Sequence, residues 1–407
     1  MLVGRQIELK ATRPCEMDRL AEIAQDCRRV VDDLSLGAVR RWKEEHPDRK
    51  VFGHFQVYSP EEIAHAAGML PITIAGGGNR IESKRASSRL PSFICSICNT
   101  SLEMALSGRL DVLDIMAFQP ICGAATQMPP IWGRNLPNLE VQLIYLPSTL
   151  MYGEASVRYV QEEYLRLKSD LERLTGGTIS NDALKHSIQV YNDNRRLIRR
   201  LYALRRESPW LLSTTEVFSL LRVGSFIRKE KHNEILEEAL REIPKRSLRR
   251  QDKIRVVLEG AFCEMPPVEF LQVLEEVCYI VDDDLLIGAR WFDDDVCCDG
   301  DPLLALASSY VRRSPSCSFL YEGTRDKMMT LRDRYRGSEA EAVIFCGPRF
   351  CEPALNDHAN FSRIFDGEKI PYLILEFEEK STLFEQVRVQ AETFVESLLF
   401  YRLTGVE

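Results

Sequence analysis

Lys50–Gly78, KVFGHFQVYSPEEIAHAAGMLPITIAGGG, decides how this chain folds. An apolar run from Val51 is followed by a short polar break, a helical pattern and a second apolar run, Leu70 to Ile74. The helix start is well marked. Ser59 offers an N-cap hydroxyl, Pro60 suits a first turn, and Glu61 and Glu62 face the positive end of the peptide dipoles. Gly68 fits a C-cap, and the glycines after Ala75 end the second strand. Strand, helix and strand in that order predict a parallel pair.

The same pattern extends outward. LDVLDIMAFQPIC, ending at Cys122, and VQLIYLP, from Val141, are short apolar runs between breakers, as buried parallel strands are. Residues 16–48 carry helical periodicity. From about 153 to 245 four amphipathic stretches follow one another, with Gly176 and Gly177 between the first two. From about 251 the α/β alternation returns in KIRVVLEGAF, PPVEFLQVLEEV, CYIVDDDLLIG, AEAVIFCGPRFCEP and IPYLILEFE. The expected fold class is α/β: two Rossmann-like parallel-sheet domains, 1–150 with a helical lead and 249–407, with a helical segment, 151–248, between them. Ligands of such sheets bind beyond the carboxyl ends of the strands. Cys122, Cys263 and the pair Cys346 and Cys351 are expected at or just past such ends.

Composition narrows the function. A chain of 407 residues exceeds a single core, and 45% hydrophobic with 28% charged residues is ordinary for a globular protein. A formal charge of −8, with no basic block free of acids, argues against nucleic acid as a partner. No secretory h-region opens the chain and no run of about 18 apolar residues occurs, so neither export nor a membrane is expected. The expected location is cytoplasmic, where thiols stay reduced, so the 12 cysteines are not read as a disulfide framework.

Cysteine grouping is the strongest chemical signal. Cys95 and Cys98 form a C-x-x-C at a helix start, Cys122 ends a strand, and Cys346 and Cys351 close another. Thiolates at helix N-termini and strand-end loops meet backbone N–H groups that stabilise them, which suits iron–sulfur or zinc ligation. A structural zinc site gathers its ligands in one small module, whereas these are spread over two domains. Scattered Cys15, Cys27, Cys278 and Cys317 read as small buried hydrophobes. Vicinal Cys297 and Cys298 stay unassigned. AGGGNR, Ala75 to Arg80, reads as a turn, and no G-x-x-x-x-G-K-[ST] occurs, so no P-loop for ATP is expected. The run VDDDLLIG reads as a strand-end cap with a solvated loop, DNRRLIRRLYALRR as a solvated helix face, and His54 and His65 as structural histidines.

RRWKEEHPDRKVFGHFQVYSPEEIAHAAGMLPITIAGGG, LSGRLDVLDIMAFQPIC, GAFCEMPPVEF, CYIVDDDLLIG and FCEPALNDH together resemble the benzoyl-CoA reductase and 2-hydroxyacyl-CoA dehydratase superfamily, from about Ala38 to Phe400. Within it the smaller cluster-bearing subunit of the ATP-dependent benzoyl-CoA reductases is the nearest match. The resemblance implies a four-iron four-sulfur cluster held by Cys95, Cys122 and Cys351. It also implies an ATP-hydrolysing iron–sulfur activator as electron donor, ferredoxin upstream of it, and an acyl-CoA substrate. The chain departs from the pattern at Cys98, at Cys346 and at Gly123, where an aspartate is usual. With Cys263 the candidate ligands number six. That set is similar to the homodimeric double-cubane (8Fe–9S) branch, which reduces small molecules. Cys98 and Cys346 are therefore either extra ligands or core thiols beside an ordinary cubane. The alternatives left open are a reductase with a second homologous subunit, a double-cubane homodimer, a 2-hydroxyacyl-CoA dehydratase subunit, and a cluster-bearing electron-transfer subunit.

Overall fold

The computed structural model of the chain describes residues 18–55, 58–147, 153–260, 266–284, 294–313, 327–378, 381–382 and 384–404. Two four-stranded sheets, both parallel throughout, organise it. The first contains β1 (Val51–Phe55), β2 (Leu70–Ile74), β3 (Ile115–Phe118) and β4 (Glu140–Leu143), in the order β2-β1-β3-β4. The second contains β5 (Ile254–Gly260), β6 (Cys278–Asp283), β7 (Ala342–Pro348) and β8 (Tyr372–Phe377), in the order β6-β5-β7-β8. The expected α/β class with two Rossmann-like sheets is what the chain adopts. Both sheets run in the same order, so each reverses direction of winding at its first strand, between β1 and β3 and between β5 and β7. The space beyond the carboxyl ends there is where such folds hold ligands.

Burial explains the strand sequences. Every residue of β1 and β2 is buried, which is why neither alternates polar with apolar. Pairing runs from Val51 opposite Leu70 to Phe55 opposite Ile74, and Phe52 faces Ile115 of β3. The helix between β1 and β2 is Glu61–Ala66, with Pro60 as its cap residue and no side-chain cap bond. Ser59 contributes its carbonyl to Glu61 N–H, in place of the expected hydroxyl cap.

Four helices follow the first sheet: Glu154–Thr175, Asn181–Glu207, Thr214–Arg222 and Lys229–Glu242. Gly176 ends the first in the left-handed conformation (φ +70°) that glycine tolerates best. Cores do not follow chain order. Leu20, Ile23 and Cys27 of helix Arg19–Asp32 pack with the second sheet, whereas Leu303, Leu306 and Tyr310 of helix Pro302–Arg313 pack with the first. Cys27 and Cys278 are core thiols, each pushed up to about 12 by burial. No helix among the described residues is long and apolar enough to cross a membrane.

Two charged runs depart from expectation, for one reason. Asp282, Asp283 and Asp284 are buried at the end of β6, and two of them meet arginines of the supposedly solvated run. Arg205 and Asp283 are both fully buried with 2.5 Å between nitrogen and oxygen, and Arg206 pairs with Asp282. Arg195, earlier on the same helix, pairs with buried Glu62. Each run taken alone looks solvated; together they neutralise one another in the interior. Arg205→Met strips Asp283 of its guanidinium, and we expect a loss of about 3–5 kcal/mol in stability, read by denaturant unfolding.

Candidate functional site

Three helices begin at one cavity, and a cysteine caps each. Cys95 precedes Ser96–Leu106, Cys122 precedes Gly123–Asn135 and Cys351 precedes Glu352–Glu368. Cys122 follows β3 and Cys351 follows β7, so the two occupy equivalent places in the two sheets. Cys95 comes from the helix after β2. The cavity is about 580 Å³, and Cys95, Cys98, Cys122 and Cys351 all line it. Apolar walls surround the sulfurs: Phe55, Leu90, Ile94, Ile97 and Ile131 from the first sheet's side, Phe350 and Pro353 from the second.

Local contacts set the state of each thiol. Cys122 Sγ accepts the Ala125 N–H at 3.4 Å, the arrangement of an N-cap in which sulfur replaces oxygen. Burial nevertheless pushes this thiol up to about 11, with the negative charges of Cys95 and Glu352 acting in the same direction. Cys95 is held below the usual thiol range, chiefly by the hydrogen bond it receives from Cys98. Its Sγ lies 4.0 Å from the carbonyl oxygen of Phe350, so the Cys95 and Cys351 loops touch across the two halves. Phe350 itself has φ +63°, a left-handed conformation that is a genuine outlier for a bulky side chain and costs about 1–3 kcal/mol.

The remaining candidates separate. Cys346 lies within β7, paired in register with Gly260 and Leu375, and not past the strand's end. Its side chain belongs to the core that also holds Cys278, and burial drives it far above the normal thiol range. It does not line the cavity. Cys263 lies outside the described residues. Cys297 and Cys298 are exposed in a loop fastened by Asn192, whose side chain donates to the Val296 carbonyl at 2.8 Å. His54 is buried against Glu61 and Thr73, and His65 bonds Ser187 and Glu230, which are structural roles. The loop after β2 lines a smaller cavity of about 230 Å³ with Arg28 and Arg222.

Sequence reading missed the apolar walls. Leu90, Phe93, Ile94, Ile131 and Phe350 belong to no shared period, and only the fold brings them round the sulfurs. Two exposed aromatics in loops flanking cysteines were the available signal: Phe93 is 70% and Phe350 49% exposed.

A fold of two parallel sheets with four thiols lining one cavity defines a class, and comparison with known proteins names it. Residues 56–398 match the family model described as 2-hydroxyglutaryl-CoA dehydratase, D-component, and the chain belongs to that family. It is 36% identical over 380 residues to a benzoyl-CoA reductase subunit of Thauera aromatica, covering 93% of this chain and 98% of that one. It is 28% identical over 384 residues to the lactoyl-CoA dehydratase beta subunit of Anaerotignum propionicum, covering 94% and 98%. It is 27% identical over 356 residues to the (R)-2-hydroxyglutaryl-CoA dehydratase beta subunit of Acidaminococcus fermentans, covering 86% and 93%. The family is thus one of acyl-CoA reductase and dehydratase subunits.

The thiol environments make a direct prediction. Thiolate is the nucleophile, so a lowered thiol reacts at lower pH than a raised one. On the metal-free chain, alkylation titrated across pH and mapped by peptide mass spectrometry should modify Cys95 at lower pH than Cys122. Cys122 should resist until the pH approaches about 11.

Proposed function

We propose that this chain is the iron–sulfur subunit of an ATP-dependent, low-potential reductase that delivers single electrons to an acyl-CoA such as benzoyl-CoA. Cys95, Cys122 and Cys351 are its cluster ligands, and the three N-cap thiols on one cavity are the observation that carries the reading. No three His, Cys, Asp or Glu among the described residues stand close enough to hold a single metal ion. Sulfurs spread round a cavity of about 580 Å³ fit a larger, polynuclear group of soft-ligand preference. When bound, a four-iron four-sulfur cluster supplies one-electron chemistry at a potential set by burial, charge and hydrogen bonds to sulfur.

The chain's own residues supply those settings. Ala125 N–H donates to the Cys122 sulfur, and the Cys98 thiol donates to Cys95. Phe55, Leu90, Ile97 and Ile131 give the sulfurs an apolar surround. The electron donor in this reading is a separate iron–sulfur ATPase fed by ferredoxin, in the reducing cytoplasm, and the enzyme is made whole by a second homologous subunit. Its relatives are each named as a subunit, which supports a multi-chain assembly. The 36% identity to a reductase subunit, against 28% and 27% to dehydratase subunits, supports reduction over dehydration. The burial of Cys346 in the β7 core supports one cubane over a double cubane with six thiolates.

Anaerobic iron and sulfide analysis tests the ligand set. About four irons per chain are expected, retained in Cys346→Ser and lost in Cys95→Ser, Cys122→Ser and Cys351→Ser. About eight irons, with loss in Cys346→Ser, would establish the double cubane instead. ATP-dependent loss of aromaticity from benzoyl-CoA by the assembled enzyme tests the reaction; water elimination from a 2-hydroxyacyl-CoA without net reduction would overturn it.

A further inference from the structure

We propose that Phe93 and Phe350 form an aromatic clamp at the thiol cavity that selects a neutral, flat, aromatic acyl thioester over an acidic one. This deepens the acyl-CoA reading above and rests on it.

Three observations converge. The first is exposure. Phe93 is 70% and Phe350 49% exposed, yet both line the cavity, one contributed by each half of the molecule. Large apolar side chains left open at a concave, mostly apolar site are what a ligand covers. The second is backbone geometry. Phe350 sits at φ +63°, where glycine would be at ease, and its ring gains little burial in return. A bulky residue held in that conformation at a site marks a demand for its side chain. The third is charge. The described residues of the wall include no lysine, arginine or histidine, and Glu352 is their one carboxylate. An acyl group with a second carboxylate, such as glutaryl, would meet like charge and find no cation among these described residues to balance it. A hydroxyacyl group would find Gln127 as the one amide side chain. A phenyl ring needs neither, and aromatic pairs prefer offset or edge-to-face stacking that two flanking rings can provide.

Equilibrium dialysis of benzoyl-CoA and glutaryl-CoA against the purified, assembled enzyme, before ATP is added, reads the clamp apart from turnover. Wild type should hold benzoyl-CoA more tightly. Phe350→Gly and Phe93→Ala should each weaken benzoyl-CoA by roughly two- to tenfold, the scale of one lost aromatic contact, and leave glutaryl-CoA unchanged. Phe350→Gly should melt at the same temperature or higher, because glycine accepts the positive φ, so any loss of binding is not a loss of fold.

Equal binding of the two thioesters by wild type, or unchanged benzoyl-CoA binding in both variants, would overturn the clamp. So would variants that bind normally as free chains but no longer assemble with the second subunit, since the rings would then serve docking. A benzoyl-CoA preference that collapses in the variants, without ATP-dependent reaction of any thioester, would keep the clamp and sink the reductase. Reduction of benzoyl-CoA with preference intact in both variants would do the reverse.

Discussion

Sulfur at a helix start is the constraint from which this site is built. The first N–H groups of a helix have no partner inside the helix, and the summed peptide dipoles leave partial positive charge there. A thiolate at the cap answers both, and the Ala125 N–H to Cys122 Sγ contact shows the geometry directly. Cys95 and Cys351 precede the other two helices without a side-chain cap bond, so three helix starts, and their partial positive potential, still meet at one cavity lined by soft, ionisable atoms. Burial opposes this by penalising charge, and for Cys122 burial wins in the metal-free chain. A cationic group held at the sulfurs would offset the cost of bare thiolates.

Holding three loops from two sheets in one register requires a rigid spacer. Helix Asn181–Glu207 has 27 residues, about 40 Å of rise, and runs along both halves. Near its middle Arg195 pairs with Glu62 beside the first sheet; near its end Arg205 pairs with Asp283 at the second. Tyr191 and Lys229 both reach Glu61, and His54 bonds the same carboxylate. Such buried pairs add little net stability compared with apolar packing, but a shifted arrangement leaves a charge without its partner at a cost of several kcal/mol. They therefore act on geometry, because an arrangement that separates these partners leaves a buried charge alone.

How much of this could be read beforehand follows from what is local. Strand, helix and strand over Lys50–Gly78 are set by neighbouring residues, and the structure matches that reading closely. The duplicated sheet also follows from alternation. Local pattern placed Cys95 at a helix start and Cys122 at a strand end, and the structure has both there; singling out Cys95, Cys122 and Cys351 from the other cysteines came from the family resemblance. Cys346 was misplaced by two residues because β7 continues to Pro348, a limit set by pairing with β8 that local pattern does not contain. The aspartate run of β6 and the arginine run of helix Asn181–Glu207 were misread for the same reason. Each is 70 or more positions from its partner, as the separations of 78 for Arg205 with Asp283 and 76 for Arg206 with Asp282 record. Charge neutralisation across such distances is a property of the fold.

The asymmetry of the cavity wall follows from its chain order. Cys122 and Cys351 come from corresponding strands of two like sheets, so the two halves alone would give a site with sulfur at two opposed points. Cys95 breaks that symmetry, because the long connection after β2 brings a third helix start to the first half's side. Cys98, one turn along, donates to Cys95 and lowers its thiol, so the added sulfur ionises more readily than that of Cys122. The more readily ionised thiol thus lies on the first half, while the second contributes Phe350, Glu352 and Pro353 around Cys351. In a low-dielectric wall, each added negative charge is opposed more strongly than in water. Glu352 therefore places a negative charge beside the Cys351 helix start, and that charge helps raise the Cys122 thiol.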